Sequence, residues 1–436
     1  MEKKLLLLSL FFFLYFPIKT KSDNILTIPF ISYLNSNRFN SSDKLLNILI
    51  SPLITQISVG SENQIINITL NINSYFTYLI DSKICKNYFF TCFIKENSKT
   101  LINQTFINMF LYEDFYQALK GIDTIKINNN YFQNFTFLIV NQIDERKEKK
   151  ILNSGTIGFK IKNTIERQEI NGITFLYQLK KRKVISNEIF HFEFINKEKN
   201  EGNLILGKNN FNKEKYYILK TGIIELETNQ IEWSFNFDNV YYNNTNLKNK
   251  NAIINNNIEF IIGSYDYRKI IYQEFFKQEK NCFYNNINTT FSIFDYFYCD
   301  KSVDIKKFKQ LIFHLKEIQF NFTFNSEDLF QEINGKNIFK IVFYQYYNIL
   351  WVFGRMFLKK YNLYFDREKK LIYIEKDNYN KNYFFHSVIF WIIFILIIFI
   401  LILVFYIFFY LKKYPRKLRA NELEDEYSYL PNKSIK

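Results

Sequence analysis

The chain has 436 residues, of which 48% are hydrophobic, and a formal net charge of +15 at pH 7. This length is enough for two domains, each with its own hydrophobic core. The basic residues are scattered along the sequence and do not form one patch with aromatic residues between them. The charge therefore gives little support to nucleic-acid binding, and we expect no nucleic-acid partner.

The first 22 residues have the pattern of a secretory signal peptide. Lys3 and Lys4 precede an apolar run from Leu5 to Phe16. This run is short for a membrane span, which favours cleavage near residue 22 over a signal anchor.

The cysteines number four and fall as two near pairs, Cys85 with Cys92 and Cys282 with Cys299. An even number in an oxidising compartment predicts disulfides, and each pair would close a short loop. No CxxC pair or dense His/Cys cluster is present, so we expect no zinc site and no other metal or cofactor.

A second apolar stretch, residues 387–411, contains no charge and predicts a transmembrane helix. Basic residues from Lys412 onward follow it at once, and positive charge marks the cytoplasmic side. We therefore expect a type I membrane protein of the secretory pathway, endolysosomal or at the cell surface, with a cytoplasmic tail at 412–436. In this tail Tyr427 and Leu430 fit a Tyr-x-x-apolar sorting signal that adaptor proteins would bind.

Glycosylation sequons support this topology. Between the two apolar stretches the sequence contains Asn-x-Ser/Thr at Asn40, Asn67, Asn103, Asn134, Asn243, Asn288 and Asn321. In a chain so rich in asparagine many sequons arise by chance.

The region between the signal peptide and the predicted span reads mainly as β structure. Short runs rich in Ile, Phe, Tyr and Thr alternate with clusters of Asn, a pattern typical of strands joined by turns. Apolar residues at helical spacing are clear only in 174–185 and 267–276.

Two segments of this region match one another. Residues 59–74 read VGSENQIINITLNINS, and residues 252–263 read AIINNNIEFIIG. In both, a hydrophobic strand leads into an Asn-x-Asn sequence, which begins at Asn71 in the first and at Asn255 in the second, 184 residues later.

Further segments have the same order and spacing as in a known family. Residues 351–366 read WVFGRMFLKKYNLYFD, residues 154–159 read SGTIGF and residues 202–207 read GNLILG. Together with the two asparagine segments, they resemble the pepsin-like aspartic proteases over roughly residues 50–376. The resemblance implies an all-β, bilobal fold of two β-barrels with a central cleft, with an N-terminal lobe at 45–215 and a C-terminal lobe at 216–378.

The resemblance implies that Asn71 and Asn255 stand where the family has its two catalytic aspartates. Those carboxyl groups share one proton, so that one acts as base and the other as acid. An asparagine carboxamide neither gives nor takes a proton at a useful pH. We therefore expect that the catalytic dyad is lost.

The residues next to the dyad positions also depart from the family pattern. Ile72 and Asn256 replace the Thr or Ser residues whose hydroxyl groups cross-brace the two loops, so we expect this brace to be lost. Ser74 keeps the hydroxyl group that would bond a dyad carboxylate, whereas Ile258 loses it.

Three more positions bear on the loops and on the rim of the cleft. Asn73 and Asn257 replace glycine, and Asn is the least costly replacement where a left-handed turn is needed. Tyr112 falls near the tyrosine of the family's flap, although the match is weak. Arg355 replaces an aspartate of the family.

These features predict a membrane-anchored, non-catalytic homologue that binds extended peptides or proteins in its cleft by strand addition. The alternative is an active membrane-bound aspartic endopeptidase, which requires another carboxylate, such as Asp81, in the site. A third reading is a structural surface protein with a vestigial cleft.

Overall fold

The computed structural model describes residues 24–32, 45–46, 48–85, 91–111, 114–143, 154–161, 174–208, 211–212, 214–221, 232–242, 245–288, 293–345, 350–376, 391 and 394–410. The chain divides into two units, Met1–Glu375 and Lys376–Lys436. The predicted signal peptide, Tyr112, Tyr427, Leu430, Asn40 and Asn243 lie outside the described residues.

In the smaller unit, residues 394–410 form a helix. No helix in the described part of the chain is both long and apolar enough to cross a membrane. The predicted span 387–411 begins and ends outside the described residues, and it stays a prediction.

In the described part of the chain, the first half of the larger unit contains ten strands, a short helical turn at residues 45–46 and 48–49, and one longer helix. The strands are β1 (Leu26–Ser32), β2 (Leu53–Val59), β3 (Gln64–Asn71), β4 (Tyr78–Ile80), β5 (Ile102–Leu111), β6 (Asp114–Ile127), β7 (Asn130–Ile143), β8 (Gly155–Gly158), β9 (Ile189–Asn196) and β10 (Glu201–Leu206), and the helix is α1 (Phe175–Lys181). A 3-10 turn covers Lys95–Asn97.

Six of these strands close into a barrel in the order β2, β3, β8, β4, β7 and β6, with β6 pairing back to β2. Its strands contribute buried aliphatic and aromatic side chains, such as Ile57, Ile68 and Phe137, to the main hydrophobic core. Removing these apolar surfaces from water is the main stabilising term for such a barrel. The closed barrel confirms the predicted β architecture for this lobe.

Among the described residues, the second half contains fourteen strands and three short helices. The strands are β11 (Tyr216–Lys220), β12 (Ser234–Tyr242), β13 (Thr245–Ile254), β14 (Ile261–Ser264), β15 (Cys282–Asn288), β16 (Ile293–Asp300), β17 (Leu311–Leu315), β18 (Phe320–Phe324), β19 (Phe330–Ile333), β20 (Lys336–Phe339), β21 (Ile341–Tyr344), β22 (Leu350–Phe353), β23 (Leu363–Asp366) and β24 (Leu371–Glu375). The helices are α2 (Tyr265–Ile271), continued by a π turn at Tyr272–Phe276, α3 (Ser326–Leu329) and α4 (Arg355–Lys360), and 3-10 turns cover Ile305–Lys307 and Lys316–Ile318.

Eleven of these strands form a second sheet, in which β15 pairs with β16 and lies off the main strand order. Among the described residues this sheet runs from β18 to β19 without closing on itself. The expected pair of barrels is therefore found as one closed barrel and one open sheet.

A further row of strands joins the two halves. It runs β11, β24, β23, β9, β10 and β1. The first three strands come from the second half of the larger unit and the last three from the first half. At the junction β23 pairs antiparallel with β9, with Phe365 opposite Phe190, and these two rings stack at 4.8 Å between centroids. Strand β1, which precedes residue 45, belongs to this sheet.

The two halves repeat one local topology. In the first, β3 runs parallel to β8, β8 antiparallel to β4, and β4 parallel to β7. In the second, β13, β22, β14 and β21 pair in the same order and directions. The asparagine segments occupy equivalent places in this repeat, at the ends of β3 and β13.

Both predicted disulfides are present, Cys85–Cys92 and Cys282–Cys299. The second joins residues directly opposite one another on β15 and β16. Of the sequons, Asn134 and Asn321 are exposed and Asn67 is half-buried, while Asn103 and Asn288 lie on β5 and β15. Glycosylation stays a prediction at all seven positions.

Candidate functional site

The two asparagine loops start from equivalent strand ends. Asn71 is the last residue of β3, and its carbonyl oxygen accepts the N–H of Phe159 at 2.9 Å. Asn255 follows β13, and its N–H donates to the carbonyl oxygen of Phe353 at 3.0 Å. Each loop is therefore fixed to the strand that runs parallel to its own.

The side chains of Asn71 and Asn255 close the same small turn. The Asn71 Oδ1 atom accepts the N–H of Asn73 at 2.8 Å, and the Asn255 Oδ1 atom accepts the N–H of Asn257 at 2.9 Å. Such a contact from residue i to the N–H of residue i+2 is the Asx turn that Asn and Asp adopt readily. Both carboxamide oxygens are thereby engaged within their own loops.

A glycine packs against each loop at a distance that permits no side chain. A Cβ atom on Gly158 would lie 2.3 Å from the carbonyl oxygen of Ser74, and one on Gly354 would lie 2.1 Å from that of Phe260. Ser74 and Phe260 stand three and five residues after their loop asparagines. Steric exclusion of a side chain thus explains why each half has a glycine at this position.

The two loops are hydrogen-bonded to one another through Asn256. Its Oδ1 atom accepts the N–H of Ile72 at 3.1 Å, and its Nδ2 atom donates to the carbonyl oxygen of Leu70 at 2.6 Å. We expected the hydrogen bonds between the loops to be lost together with the hydroxyl groups. This expectation was wrong at Asn256. A carboxamide has both a donor and an acceptor, so Asn256 bridges the loops.

The other side of the brace is apolar. The Ile72 side chain is fully buried in the main core and can form no hydrogen bond. Ser74 donates its hydroxyl group to the carbonyl oxygen of Phe76 at 3.5 Å. Ile258 accepts the N–H of Arg355 through its carbonyl oxygen at 2.7 Å.

The third residue of each asparagine triplet has a buried polar atom. The Oδ1 atoms of Asn73 and Asn257 are buried and have no hydrogen-bond partner among the described residues. Asn73 and Asn257 stand at the same position in the two loops, so the loops are alike in this buried atom as well.

Asp81, one carboxylate that the alternative reading could place in the site, is in an ion pair. The Asp81 side chain is fully buried, pairs with Lys95 Nζ at 2.7 Å and accepts the N–H of Lys83 at 3.0 Å. Asp81 follows β4 and forms a bridge with Phe93. These contacts hold Asp81 at the end of β4.

A buried arginine is hydrogen-bonded to the backbone of the second loop. Arg355 is 0% exposed, donates from Nη1 to the carbonyl oxygen of Asn256 at 3.0 Å and pairs through Nε with Glu259 Oε2 at 2.8 Å. The same carboxylate pairs with Lys359. Burial lowers the pKa of Arg355, while the charge of Glu259 acts in the opposite direction.

Sequence reasoning noted Arg355 only as a departure from the family and missed its partner. Glu259 stands four residues after Asn255, between apolar residues. A charged residue in an apolar run is the signal from which a buried ion pair could have been predicted. Charges so deeply buried require partners.

Strands β5 and β6 form an antiparallel hairpin in which β5 is the last strand of the sheet. Its last paired residues are Leu111 and Asp114, so the predicted flap residue Tyr112 falls between the two strands. Tyr112 lies outside the described residues, and its role as a flap residue stays a prediction. The described residues contain no cluster of His, Cys, Asp and Glu side chains suited to a metal ion.

Comparison with known proteins agrees with this architecture. The family model described as eukaryotic aspartyl protease matches residues 53–376. No curated protein matches the chain. The match covers the closed barrel, the second sheet and both asparagine loops, and the chain belongs to the eukaryotic aspartyl protease family.

Proposed function

We propose that this protein is a catalytically inactive aspartyl protease homologue that binds extended peptide segments in the cleft between its lobes. The observation that carries the proposal is the pair of Asx turns, which assigns Asn71 and Asn255 to equivalent positions in the two loops. In this family the equivalent positions hold the catalytic dyad, as the sequence resemblance implies.

The chemistry of these side chains argues against turnover. Peptide hydrolysis by this family needs one ionised and one protonated carboxyl group about a water molecule. A carboxamide has neither form at useful pH, and general acid–base catalysis therefore has no group to act through at Asn71 and Asn255. Asp81 and Glu259, the carboxylates closest in sequence to the two loops, are in ion pairs with basic side chains.

The retained loop scaffold argues for binding. Asn256 ties the loops together, and Gly158 and Gly354 keep them closely packed. A scaffold held in this way keeps the floor of a cleft in place without its acid and base. The β5–β6 hairpin provides a strand beside which an extended peptide would add by backbone hydrogen bonds.

We place the protein in the membranes of the secretory pathway as a type I glycoprotein, endolysosomal or at the cell surface. The two disulfides support an oxidising lumen. The uncharged stretch 387–411 followed by basic residues supports a membrane anchor with a cytoplasmic tail. An adaptor protein would bind the tail through Tyr427 and Leu430.

The second candidate, an active aspartic endopeptidase, is favoured by family membership alone. It would need two carboxyl groups that share a proton across the cleft.

A cleavage and retention experiment separates the candidates. The full chain, purified in mild detergent, is incubated with a mixed peptide library between pH 3 and 7, beside the variant Asn71→Asp/Asn255→Asp. We expect retention of peptides without cleavage by the native protein. Pepstatin-sensitive cleavage by the native protein would reject the proposal, and cleavage by the double variant alone would locate the dyad positions.

A further inference from the structure

A second apolar cluster lies in the C-terminal lobe beside the second asparagine loop. Its members include Phe260, Ile262, Phe294, Ile338 and Val342, all at most 8% exposed. Ile258 of the loop packs against it. This cluster, which we call the C-lobe apolar face, is separate from the main core.

Two leucines from the other end of the chain complete this face. Leu45 and Leu49 are 6% and 1% exposed and belong to the cluster, in which every other buried member lies between residues 260 and 342. They are four residues apart, and the N–H of Ile50 donates to the carbonyl oxygen of Leu46 at 2.9 Å. Residues i and i+4 of a helical turn share one side, so both leucines enter the face together.

The polar groups of this turn are also matched. The carbonyl oxygen of Leu49 accepts the N–H of Glu259, on the second loop, at 2.9 Å. Ser51, two residues after Leu49, is 2% exposed and receives two donors from Arg355, one to its carbonyl oxygen and one to its Oγ atom at 2.5 Å. Pro52 follows and disfavours a longer helix.

The geometry points to a built binding surface: we propose that the C-lobe apolar face is a docking site for a short helical turn with apolar residues at i and i+4, and that residues 45–46 and 48–51 occupy it in cis. We call these residues the leucine segment. The matched features are the apolar pair, the backbone N–H of Glu259 and the buried Arg355.

The segment acts as an intramolecular competitor. A ligand in trans reaches the face and the adjacent loop only in molecules whose segment has left. Its apparent affinity is therefore reduced by the fraction of molecules that are open. This inference concerns the face and does not require peptides to bind at Asn71 and Asn255.

The test uses the segment's own sequence as the probe. A fluorescein-labelled synthetic peptide of residues 44–52 is titrated into the full chain in detergent, and anisotropy reports binding. Leu45→Ser/Leu49→Ser removes the cis competitor, and Ile50→Ser, at a position 42% exposed, is the matched control. We expect the double variant to bind the peptide at least tenfold more tightly than the native protein and the control to match the native protein.

Hydrogen exchange supplies a second readout. The amide of Glu259 should exchange at least tenfold faster in the double variant and return to native protection when the peptide is added. Unchanged affinity together with unchanged exchange in a folded double variant would overturn the inference. If the double variant does not fold, Leu45→Ala is used, for which we expect at least threefold tighter binding, and no change would overturn it equally.

The outcomes also separate this inference from the proposed function. Binding of the 44–52 peptide without retention of library peptides by the double variant supports the docking face and rejects the peptide-binding cleft. Retention of library peptides by the native protein, with no effect of the leucine substitutions on the 44–52 peptide, does the reverse.

Discussion

Replacing Arg355 by methionine tests the buried charge pair beneath the second loop. Methionine keeps much of the side-chain length but removes every donor. Glu259 would then lose its ion pair with Arg355 and keep the one with Lys359, and the carbonyl oxygen of Asn256 would lose the Arg355 donor. Removing one partner of a buried ion pair typically costs about 3 to 5 kcal/mol, because the remaining charge is left buried.

This loss converts into a measurable thermal shift. Unfolding entropy of about 2.1 cal/mol/K per residue, over roughly 350 residues of the larger unit, gives about 0.7 kcal/mol/K. We therefore expect Arg355→Met to lower the melting temperature by about 4 to 7 °C. Differential scanning fluorimetry of the full chain in detergent measures this shift at the protein concentration used for the native protein.

An exposed pair provides the matched control. Lys301 pairs with Glu332 at 2.9 Å, and the two side chains are 68% and 50% exposed. Such pairs contribute about 0 to 1 kcal/mol, so Lys301→Met should shift the melting temperature by at most about 1.5 °C. A shift for Arg355→Met no larger than that for Lys301→Met would refute the account of the buried pair.

Three further predictions concern stability. Burial lowers the pKa of Lys340 from 10.5 to about 8, so between these values the unfolded chain binds more protons than the folded protein, and stability rises with pH. The free energy of unfolding of the native protein relative to Lys340→Met should thus increase by up to about 3 kcal/mol from pH 8 to 10.5 in urea titrations, and a flat difference would contradict the assignment. Asn256→Leu should cost about 2 to 4 kcal/mol, because the N–H of Ile72 and a carbonyl oxygen lose their partners, whereas Asn256→Thr should cost less in the same titrations; equal losses would argue against the brace. Cys282→Ala/Cys299→Ala should cost about 3 kcal/mol for a loop of this length, and an unchanged urea midpoint would show that the disulfide adds no stability.

The sequence predicted the β architecture because its signals are local. Alternating apolar residues and asparagine-rich turns define strands such as Leu26–Ser32, whose side chains alternate between buried and exposed. The two helical patterns also appeared close to where they were predicted, as Phe175–Lys181 and Tyr265–Phe276. Both disulfides followed from cysteine spacing.

The sequence could not predict contacts between residues far apart in the chain. The bridge formed by Asn256 depends on a carboxamide reaching across 184 residues to Ile72, and a one-for-one comparison with the hydroxyl groups of the family predicted its loss. The docking of Leu45 and Leu49 into the other lobe likewise has no local signal, since the same pair would suit any apolar face.

The central claim is that the paired asparagine loops bind peptides without cleaving them. The most direct measurement incubates the native full chain with the peptide library at pH 3 to 7 and follows both retained and cleaved peptides by mass spectrometry, with Asn71→Asp/Asn255→Asp in parallel. The account predicts retained, intact peptides for the native protein at every pH. Pepstatin-sensitive cleavage products from the native protein would contradict it.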